Sequence, residues 1–252
     1  MFPSRDLLPP LDTHAHLAPD VTVAQLRRLS GAVVFAMTRS LAEAAYVSER
    51  SDPLVVWGIG VHPTAYRDMD SFDSAAFQRL LDRFAFVGEV GLDFRGSRRQ
   101  REVFAEILRC TADQPVLLSI HSSGMIKETL DALAERPQAG AILHWFTGTA
   151  AEHERALNLG CYFSVNAAMT NEQLELLPAD RSLSETDFPA ASSTGATRPG
   201  DVGSVEQRLG QLWEQDPTVV RHRLYANARR LALESGAIER MPSEVAGNLL
   251  AA

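Results

Sequence analysis

Eight short apolar runs alternate with helix-like segments along the chain, and this order strongly constrains the fold. Within each run the apolar residues are mostly consecutive and do not alternate with polar ones, as expected of parallel strands that are buried on both faces. Strands that alternate with helices form a parallel sheet with helices outside it. The length of 252 residues is close to the usual size of one such barrel. The sequence therefore predicts an α/β fold, a single-domain (β/α)₈ TIM barrel over residues 1–252.

The predicted elements follow directly from this alternation. Strands are expected at 11–16, 32–37, 54–61, 86–91, 116–121, 141–145, 161–165 and 181–185. Helices are expected at 22–29, 41–48, 71–84, 98–113, 125–135, 151–159, weakly at 171–177, and then at 202–215 and 219–235. A loop rich in Ala, Ser, Thr, Gly and Pro follows the last strand, and residues 237–252 are expected to form a frayed tail.

The composition narrows the function. A formal net charge of −8 argues against a generic, tight nucleic-acid binder, which is usually basic. A nuclease stays compatible with this charge, because metal ions can supply positive charge inside a pocket. The two cysteines, Cys110 and Cys161, are expected to be reduced thiols of a cytoplasmic protein. No apolar run reaches the roughly 18 residues of a membrane span, so no membrane association is expected.

Candidate metal ligands stand at the ends of the predicted strands. Because strand C-termini meet at one rim of such a barrel, these side chains are expected to converge there. His14 and His16 form an H-x-H pair, and because side chains alternate along a strand, both rings lie on the same side of it. A buried glutamate between glycines is a candidate bridge between two ions, with a buried Glu–Arg pair as the alternative. The candidates are His14, His16, Glu89, His121, His144 and Asp187, although each histidine alone would suit ordinary packing.

Other residues at this rim are candidates for catalysis and substrate binding. Asp187 is expected to accept a proton from the attacking water, unless it is a turn or helix-capping carboxylate. Glu89 and His62 are further catalytic candidates, and His62 is expected either to hold a phosphate or leaving group or to pack structurally. Asp12 and Glu185 are candidates to orient metal ligands. Weaker candidates for substrate contact are Arg39, Arg95, Ser122 and Asn166.

The ligand types favour a particular set of metals. Neutral imidazoles with carboxylates suit Zn²⁺, Mn²⁺, Fe²⁺ or Co²⁺, whereas Mg²⁺ prefers an all-oxygen set. Two ions about 3.5–4 Å apart can clamp both oxygens of a phosphoryl transfer and activate a water. The sequence therefore predicts two divalent ions, with Zn²⁺, Mn²⁺ and Mg²⁺ left open. The chain has neither a P-loop nor a G-x-S-x-G elbow.

An ordered set of motifs resembles the TatD family of hydrolases. The motifs are L-D-T-H-A-H-L, G-V-H-P, V-G-E-V-G-L-D-F, P-V-L-L-S-I-H-S, I-L-H-W-F-T-G, G-C-Y-F-S-V-N and E-T-D-F-P. The resemblance runs from Leu11 to about Leu231. It implies a barrel of the metal-dependent hydrolase superfamily with two divalent metals held by the six residues above. It also implies deoxyribonuclease activity, often exonucleolytic and on single strands.

Two departures from the family pattern affect these expectations. Ser123 stands where family members commonly have Arg, which puts the usual substrate preference in question. The segment between Asn166 and Arg181 is short, so a reduced seventh helix is expected. Three segments, H-W-F-T-G-T, G-C-Y-F-S-V-N and the run from E-T-D-F-P to R-P-G-D-V, resemble the TatD-like subunit of the Qat anti-phage defence system. That resemblance implies partner proteins encoded beside this one.

Two other functions stay open at this stage. The first is a small-molecule amidohydrolase or lactonase, many of which bridge their metals with a carboxylated strand lysine. Lys127, the single lysine, is expected on a helix, so Glu89 is expected to take that place. The second alternative is a metal-binding subunit whose main task is assembly of a multi-protein complex. The complete ligand set weighs against a purely structural role.

Overall fold

Eight parallel strands form one sheet in sequence order in the computed structural model, which describes residues 8–94 and 96–252. Each strand pairs in parallel with the next one along the chain. The strands are β1 Leu11–Ala15, β2 Val33–Ala36, β3 Val55–Ile59, β4 Phe86–Gly91, β5 Leu117–His121, β6 Ala141–His144, β7 Tyr162–Val165 and β8 Ser182–Ser184.

Helices connect and surround these strands. They are α1 Val23–Leu26, α2 Leu41–Val47, α3 Tyr66–Asp70, α4 Ser74–Leu81, α5 Arg98–Thr111, α6 Ile126–Glu135, α7 Ala150–Asn158, α8 Asn171–Glu175, α9 Ala191–Thr194, α10 Gly203–Trp213, α11 Pro217–Glu234 and α12 Ser243–Leu250. The predicted (β/α)₈ barrel is confirmed by this arrangement. Within the described residues, no helix is both long and apolar enough to cross a membrane.

Hydroxyl groups join the last strand to the first. The Thr13 hydroxyl donates to the carbonyl of Ser184 at 3.0 Å. The Ser184 hydroxyl donates to the carbonyl of Leu11 at 2.5 Å. Beyond the strand ends, the backbone N–H of Asp187 donates to the carbonyl of His14 at 2.9 Å. These contacts bring the predicted ligands of β1 next to the one that follows β8.

The core lies inside the sheet and between the sheet and its helices. Phe35 of β2 and Phe86 of β4 meet edge to face, with ring centroids 5.2 Å apart. They share a buried cluster with Tyr162 of β7 and with Tyr225 of α11. Aromatic side chains of this size dominate the burial of apolar surface in a core. The cluster thereby joins α11 to the strands of the barrel.

The predicted frayed tail at 237–252 is wrong. Residues Ala237–Arg240 form a 3₁₀ turn, and α12 follows at Ser243. Val245 and Leu249 are fully buried in the same cluster as Tyr225. Because these two side chains are four residues apart, they share one face of a helix. The segment is an amphipathic helix that packs on the barrel.

The helices predicted at 71–84 and 171–177 are both observed in shorter form. The segment predicted as one helix over 71–84 contains only α4, which begins at Ser74 because Asp73 caps it by accepting from the N–H groups of Ala75 and Ala76. The shorter α3 precedes it. The reduced seventh helix is confirmed, since α8 spans five residues. Both differences lie in connections outside the sheet.

Candidate functional site

The six predicted metal ligands meet in one pocket at the C-terminal ends of the strands. The pocket has a volume of about 910 Å³, and five of the six ligands line it directly. The sixth, His14, lies beneath the pocket surface and is fully buried. This is the end of the barrel at which enzymes of this fold carry their active sites.

Glu89 stands at the centre and divides its two carboxylate oxygens between two groups of histidines. Oε1 lies 2.6 Å from Nδ1 of His121 and 2.9 Å from Nε2 of His144. Oε2 lies 3.1 Å from Nε2 of His16 and 3.0 Å from Nε2 of His62. Burial opposes ionisation of Glu89, but the surrounding histidines hold its pKa well below the usual value. The carboxylate is therefore charged at neutral pH.

The backbone around Glu89 is held by the end of β2. The N–H of Thr38 donates to the carbonyl of Gly88 at 3.1 Å, and the N–H of Glu89 donates to the carbonyl of Thr38 at 3.3 Å. Gly60 follows β3 and approaches the same peptide. A Cβ at Gly60 would lie 2.4 Å from the carbonyl carbon of Gly88, so a larger residue would displace Glu89.

His14 has one nitrogen bound and one free, and the free nitrogen faces the carboxylates. Its Nδ1 lies 2.7 Å from the hydroxyl of Ser119. Its Nε2 is buried without a hydrogen-bond partner, 3.6 Å from Oε2 of Glu89 and 3.5 Å from Oδ1 of Asp187. Burial lowers the pKa of His14 to about 4, so the ring is neutral at pH 7. A buried neutral nitrogen facing two carboxylates fits a cation between them.

His121 is oriented by a residue that the sequence analysis did not single out. Oδ2 of Asp93 lies 2.9 Å from Nε2 of His121, on the side of the ring away from Glu89. A carboxylate on one imidazole nitrogen fixes the ring and raises its basicity as a ligand through the other. Burial alone would lower the pKa of His121, but Glu89 raises it above the usual value.

His144 is held between two carboxylates. Its Nε2 faces Glu89, and its Nδ1 lies 3.8 Å from Oε1 of Glu185. The ring stacks on His14 with centroids 4.0 Å apart. Burial opposes a charge on the ring, but Glu89 and Glu185 raise the pKa of His144 well above its usual value. Glu185, predicted as a candidate to orient a ligand, lies where it can do so.

Asp187 is aimed at the histidines by a turn in the left-handed region, with φ +48°. Its Oδ1 lies 3.5 Å from Nε2 of His14 and 3.8 Å from Nε2 of His16. Burial raises the pKa of Asp187 to about 7, and the neighbouring carboxylates add to this shift. Such a carboxyl group exchanges its proton near neutral pH, as the predicted proton acceptor must.

Asp12 holds the Asp187 turn and contacts no histidine ring. Its carboxylate accepts from the N–H and hydroxyl of Thr186, from the N–H of Gly200 and from the N–H of His14. The expectation that it orients a histidine side chain is therefore wrong. It acts on the backbone instead, because it joins β1 to the segment after β8.

His62 lies at the rim with its Nε2 facing Glu89. The N–H of Thr64 donates to Nδ1 of His62 at 3.1 Å, which places the proton of a neutral ring on Nε2. In the neutral ring, Nε2 is then a hydrogen-bond donor that lies 3.0 Å from Oε2 of Glu89. His62 lines the pocket, and its contact with a phosphate or leaving group stays a prediction.

Comparison with known proteins identifies the family. Residues 11–232 match the family model described as TatD related DNase. The chain belongs to this family. It is 26% identical over 249 residues to the uncharacterized metal-dependent hydrolase YabD of Bacillus subtilis (strain 168), covering 87% of this chain and 97% of that protein. It is 26% identical over 205 residues to the 3′-5′ ssDNA/RNA exonuclease TatD of Cronobacter sakazakii (strain ATCC BAA-894). This match covers 70% of this chain and 76% of that protein.

A solved structure has the same fold. The crystal structure of YJJV, a TatD homolog from Escherichia coli K12, superposes with a TM-score of 0.73 at 20% identity. The superposition covers 88% of this chain and 96% of the YJJV chain. The predicted resemblance to the TatD family is confirmed, and so is the predicted class of enzyme, a metal-dependent hydrolase. The resemblance to a Qat subunit stays a prediction.

The predicted substrate contacts of this TatD-family site have different outcomes. Ser122 and the exposed Arg39 line the pocket, and Ser123 lines it as well. Asn166 is buried, and its side-chain amide donates to Glu185 while its oxygen accepts from the N–H of Ala168. The expectation that Asn166 contacts substrate is therefore corrected, because both of its polar atoms are already used. Arg95 lies outside the described residues.

Signals for the missed residues of the TatD-family site were present in the sequence. Ser119 lies two positions before His121 in β5, so it shares the face of the strand that points to the ligands. Asp93 is a carboxylate just after the end of β4, where the rim begins. Both follow from the rule that identified the ligands. Neither a hydroxyl nor a loop carboxylate signals metal binding by itself, so the sequence alone does not mark them.

Proposed function

We propose that this TatD-family hydrolase is a nuclease or phosphodiesterase that cleaves single-stranded DNA with two divalent metal ions. The observation that carries the proposal is the division of the Glu89 oxygens between two groups of histidine nitrogens. A carboxylate that presents one oxygen to each of two groups suits two cations, which together favour phosphoryl transfer. The names of the relatives as deoxyribonucleases and exonucleases support the same class of substrate.

The ligands separate into two groups that share Glu89. One ion would be held by His14, His16 and Asp187 with Glu89. The second would be held by Glu89, His121 and His144. The ligand atoms of His14, His16 and Glu89 lie within 4.8 Å of one another, and so do those of His62, Glu89 and His121. Imidazoles with carboxylates suit Zn²⁺ or Mn²⁺ better than Mg²⁺. When bound, the ions supply Lewis acidity and lower the pKa of a coordinated water.

The chain's own residues supply the remaining chemistry. Asp187, which lines the pocket with its Oδ1 3.5 Å from Nε2 of His14, would take the proton lost by the attacking water. His62 presents an Nε2–H to a phosphate oxygen, because Thr64 holds the proton on that nitrogen. Arg39 offers a guanidinium at the rim, where charge-assisted hydrogen bonds to phosphate are strong.

The charge of the pocket supports a short or single-stranded substrate. Apart from the histidines, Arg39 is the one basic side chain among the described residues that line the pocket. Tight binding of duplex DNA depends on many Lys and Arg contacts to phosphates. A pocket of about 910 Å³ with one guanidinium suits the end of a single strand better. The proposed activity is therefore exonucleolytic.

The lactonase alternative lacks its usual bridging group in this chain. Lys127 lies on α6, where it is exposed and pairs with Asp131 at 2.8 Å. It is therefore remote from the strand ends that carry the metal ligands. A bridge formed by a carboxylated lysine cannot occur here, and Glu89 occupies the central position instead.

The decisive experiment compares substrates on metal-loaded protein. Labelled single-stranded DNA, duplex DNA, RNA and bis(p-nitrophenyl) phosphate are incubated with Mn²⁺, Zn²⁺ or Mg²⁺, each with an EDTA control. We expect EDTA-sensitive cleavage that is fastest on single-stranded DNA. Glu89→Ala and Asp187→Asn should abolish it while circular dichroism stays unchanged. If two bound metals are measured and no phosphodiester is cleaved, the proposal fails and amides and lactones become the substrates to test.

A role in anti-phage defence is a separate part of the proposal. The segment that contains Trp145 and Phe146 supports it by resemblance to the TatD-like subunit of the Qat system. Such a role requires partner proteins encoded beside this one. Co-expression with the neighbouring gene products followed by affinity purification tests it, and a chain that purifies alone under these conditions contradicts it.

A further inference from the structure

Trp145 directly follows the metal-ligand candidate His144 and has an unusual backbone conformation. Its φ is +41°, in the left-handed region that bulky residues rarely adopt. The N–H of Trp145 donates to the carbonyl of Ser164 at 3.2 Å, which holds the turn. Conformations of this kind persist where the surroundings enforce them, and they are concentrated at functional sites.

The turn sends two consecutive aromatic side chains to different environments. Phe146 is buried in the core, where its ring lies 5.6 Å from that of Phe163 and 4.8 Å from that of His153. Trp145 is only partly buried: it packs against the edge of the same core and also lines the pocket. The part of the indole that faces the pocket is available to a ligand.

The residues that line the pocket with Trp145 include three uncharged ones with unused hydrogen-bonding groups. Ser122, Ser123 and Thr147 line it together with the indole. Within residues 8–94 and 96–252, the indole N–H and the hydroxyls of these three residues make no hydrogen bonds. The charged residues Arg39 and Glu43 line the pocket from the segments after β2, which is four strands away from β6.

We propose that Trp145 is the stacking platform of a nucleobase subsite, with Ser122 and Ser123 facing the edge of the base. This inference rests on the proposed nuclease function and adds to it the part of the substrate that the site recognises. An aromatic ring stacks on the face of any base, and this contact tolerates sequence. Hydroxyls can donate to or accept from a base edge.

The subsite also gives a physical reason for Ser123. A guanidinium at this position would place a positive charge next to β5. The uncharged hydroxyl of serine suits the edge of a base instead. A phosphate contact is available on the opposite side of the pocket, where Arg39 offers its guanidinium. The base and the phosphate of one nucleotide would then lie on either side of the ligand cluster.

Tryptophan fluorescence tests the subsite without depending on catalysis. The chain has three tryptophans, and the other two, Trp57 and Trp213, lie outside the residues that line this pocket. Metal-loaded protein is titrated with dAMP and, as a base-free match, with deoxyribose 5-phosphate. We expect dAMP to quench the emission much more strongly than the base-free compound. The quenching should be lost in Trp145→Phe, which removes the responding indole, and retained in Trp213→Phe.

Cleavage provides the second measurement. Single-stranded oligonucleotides with normal nucleotides or with abasic nucleotides at the 3′ end are compared for KM and kcat. Stacking energies correspond to a rise in KM of about 5- to 150-fold when the platform is removed. We expect this rise in Trp145→Ala on the normal strand and no change on the abasic strand. Trp145→Phe, which retains an aromatic ring, should restore most of the affinity.

The outcomes separate this inference from the proposed function. If the wild-type protein cleaves both strands with equal KM and Trp145→Ala behaves like the wild type, the subsite is wrong and the nuclease function stands. If the wild-type protein cleaves neither strand, the nuclease function fails and the dAMP titration decides the subsite. The subsite is overturned if dAMP quenches the emission of Trp145→Phe as strongly as that of the wild-type protein.

Discussion

Asp93 approaches the Nε2 nitrogen of His121 to 2.9 Å, and the opposite nitrogen of the same ring faces Glu89 at 2.6 Å. The imidazole thus connects a carboxylate at the rim to the carboxylate at the centre of the site. Because Asp93 accepts the Nε2 proton, the lone pair of Nδ1 is left for a cation. The position of one loop carboxylate therefore determines which atom of His121 can serve as a ligand.

Asp93→Asn is expected to weaken metal binding by about 10- to 100-fold, because the amide orients and polarises the ring less well than the carboxylate. Isothermal titration with Zn²⁺ or Mn²⁺ measures the change. The exposed Asp113→Asn removes the same charge far from the pocket and should leave the affinity unchanged. Equal affinities for the two variants would show that Asp93 has no part in orienting His121.

The pH dependence of metal binding follows from three ligand candidates with raised pKa values. The pKa of Asp187 is raised to about 7, and the pKa values of His121 and His144 are raised above their usual value. Each group that holds a proton in the metal-free protein must lose it to act as a ligand. We expect affinity to fall below pH 7 by about tenfold per pH unit for each proton displaced, and to depend less steeply on pH above 7, where Asp187 is already ionised.

The same titration in Asp187→Asn isolates the aspartate. Without its carboxyl group, the dependence below pH 7 should become weaker by about a factor of ten per pH unit, because only the histidines still exchange protons. Calorimetry in buffers of different ionisation enthalpy counts the protons released directly. A wild-type affinity that is constant between pH 5 and 7 would contradict the assignment of Asp187 and His144 as ligands.

The sequence predicts which residues reach the site but not which atoms they present. The alternation of strands and helices was sufficient to place His14, Glu89 and His144 on one rim, because parallel strands all end there. The partners of the rings depend on distances across the barrel. Ser119 meets His14 from a strand four positions away, and such pairings are not encoded in local periodicity.

Asn166 and Asp12 illustrate the same limit. Asn166 directly follows β7, Asp12 is the second residue of β1, and the surroundings of both rule out the roles predicted for them. Asn166 is buried against Glu185, and Asp12 accepts four hydrogen bonds from groups around the Asp187 turn. A polar side chain at a rim can face the pocket or the backbone beneath it. That choice is made by packing in three dimensions.

Arg39→Ala is expected to raise KM for single-stranded DNA and to lower its dependence on salt. One phosphate contact contributes a slope of about 0.7 in a plot of log affinity against log salt for single strands. Between 50 and 200 mM NaCl, the slope of log KM against log salt should therefore be smaller by about 0.7 in Arg39→Ala than in the wild-type protein. Arg79→Ala, on the exposed surface of α4, is the matched control. If both variants keep the wild-type slope, Arg39 does not contact phosphate.

Leu249→Ala is expected to destabilise the protein by about 2–5 kcal/mol, the usual cost of truncating a fully buried leucine. The side chain packs in the cluster that includes Tyr225 and Leu231 of α11. The adjacent Leu250 is 57% exposed, so Leu250→Ala should change the free energy of unfolding by about 0.5 kcal/mol or less. Urea unfolding followed by circular dichroism measures both variants under the same conditions. Equal midpoints for Leu249→Ala and Leu250→Ala would mean that α12 does not pack on the barrel in solution.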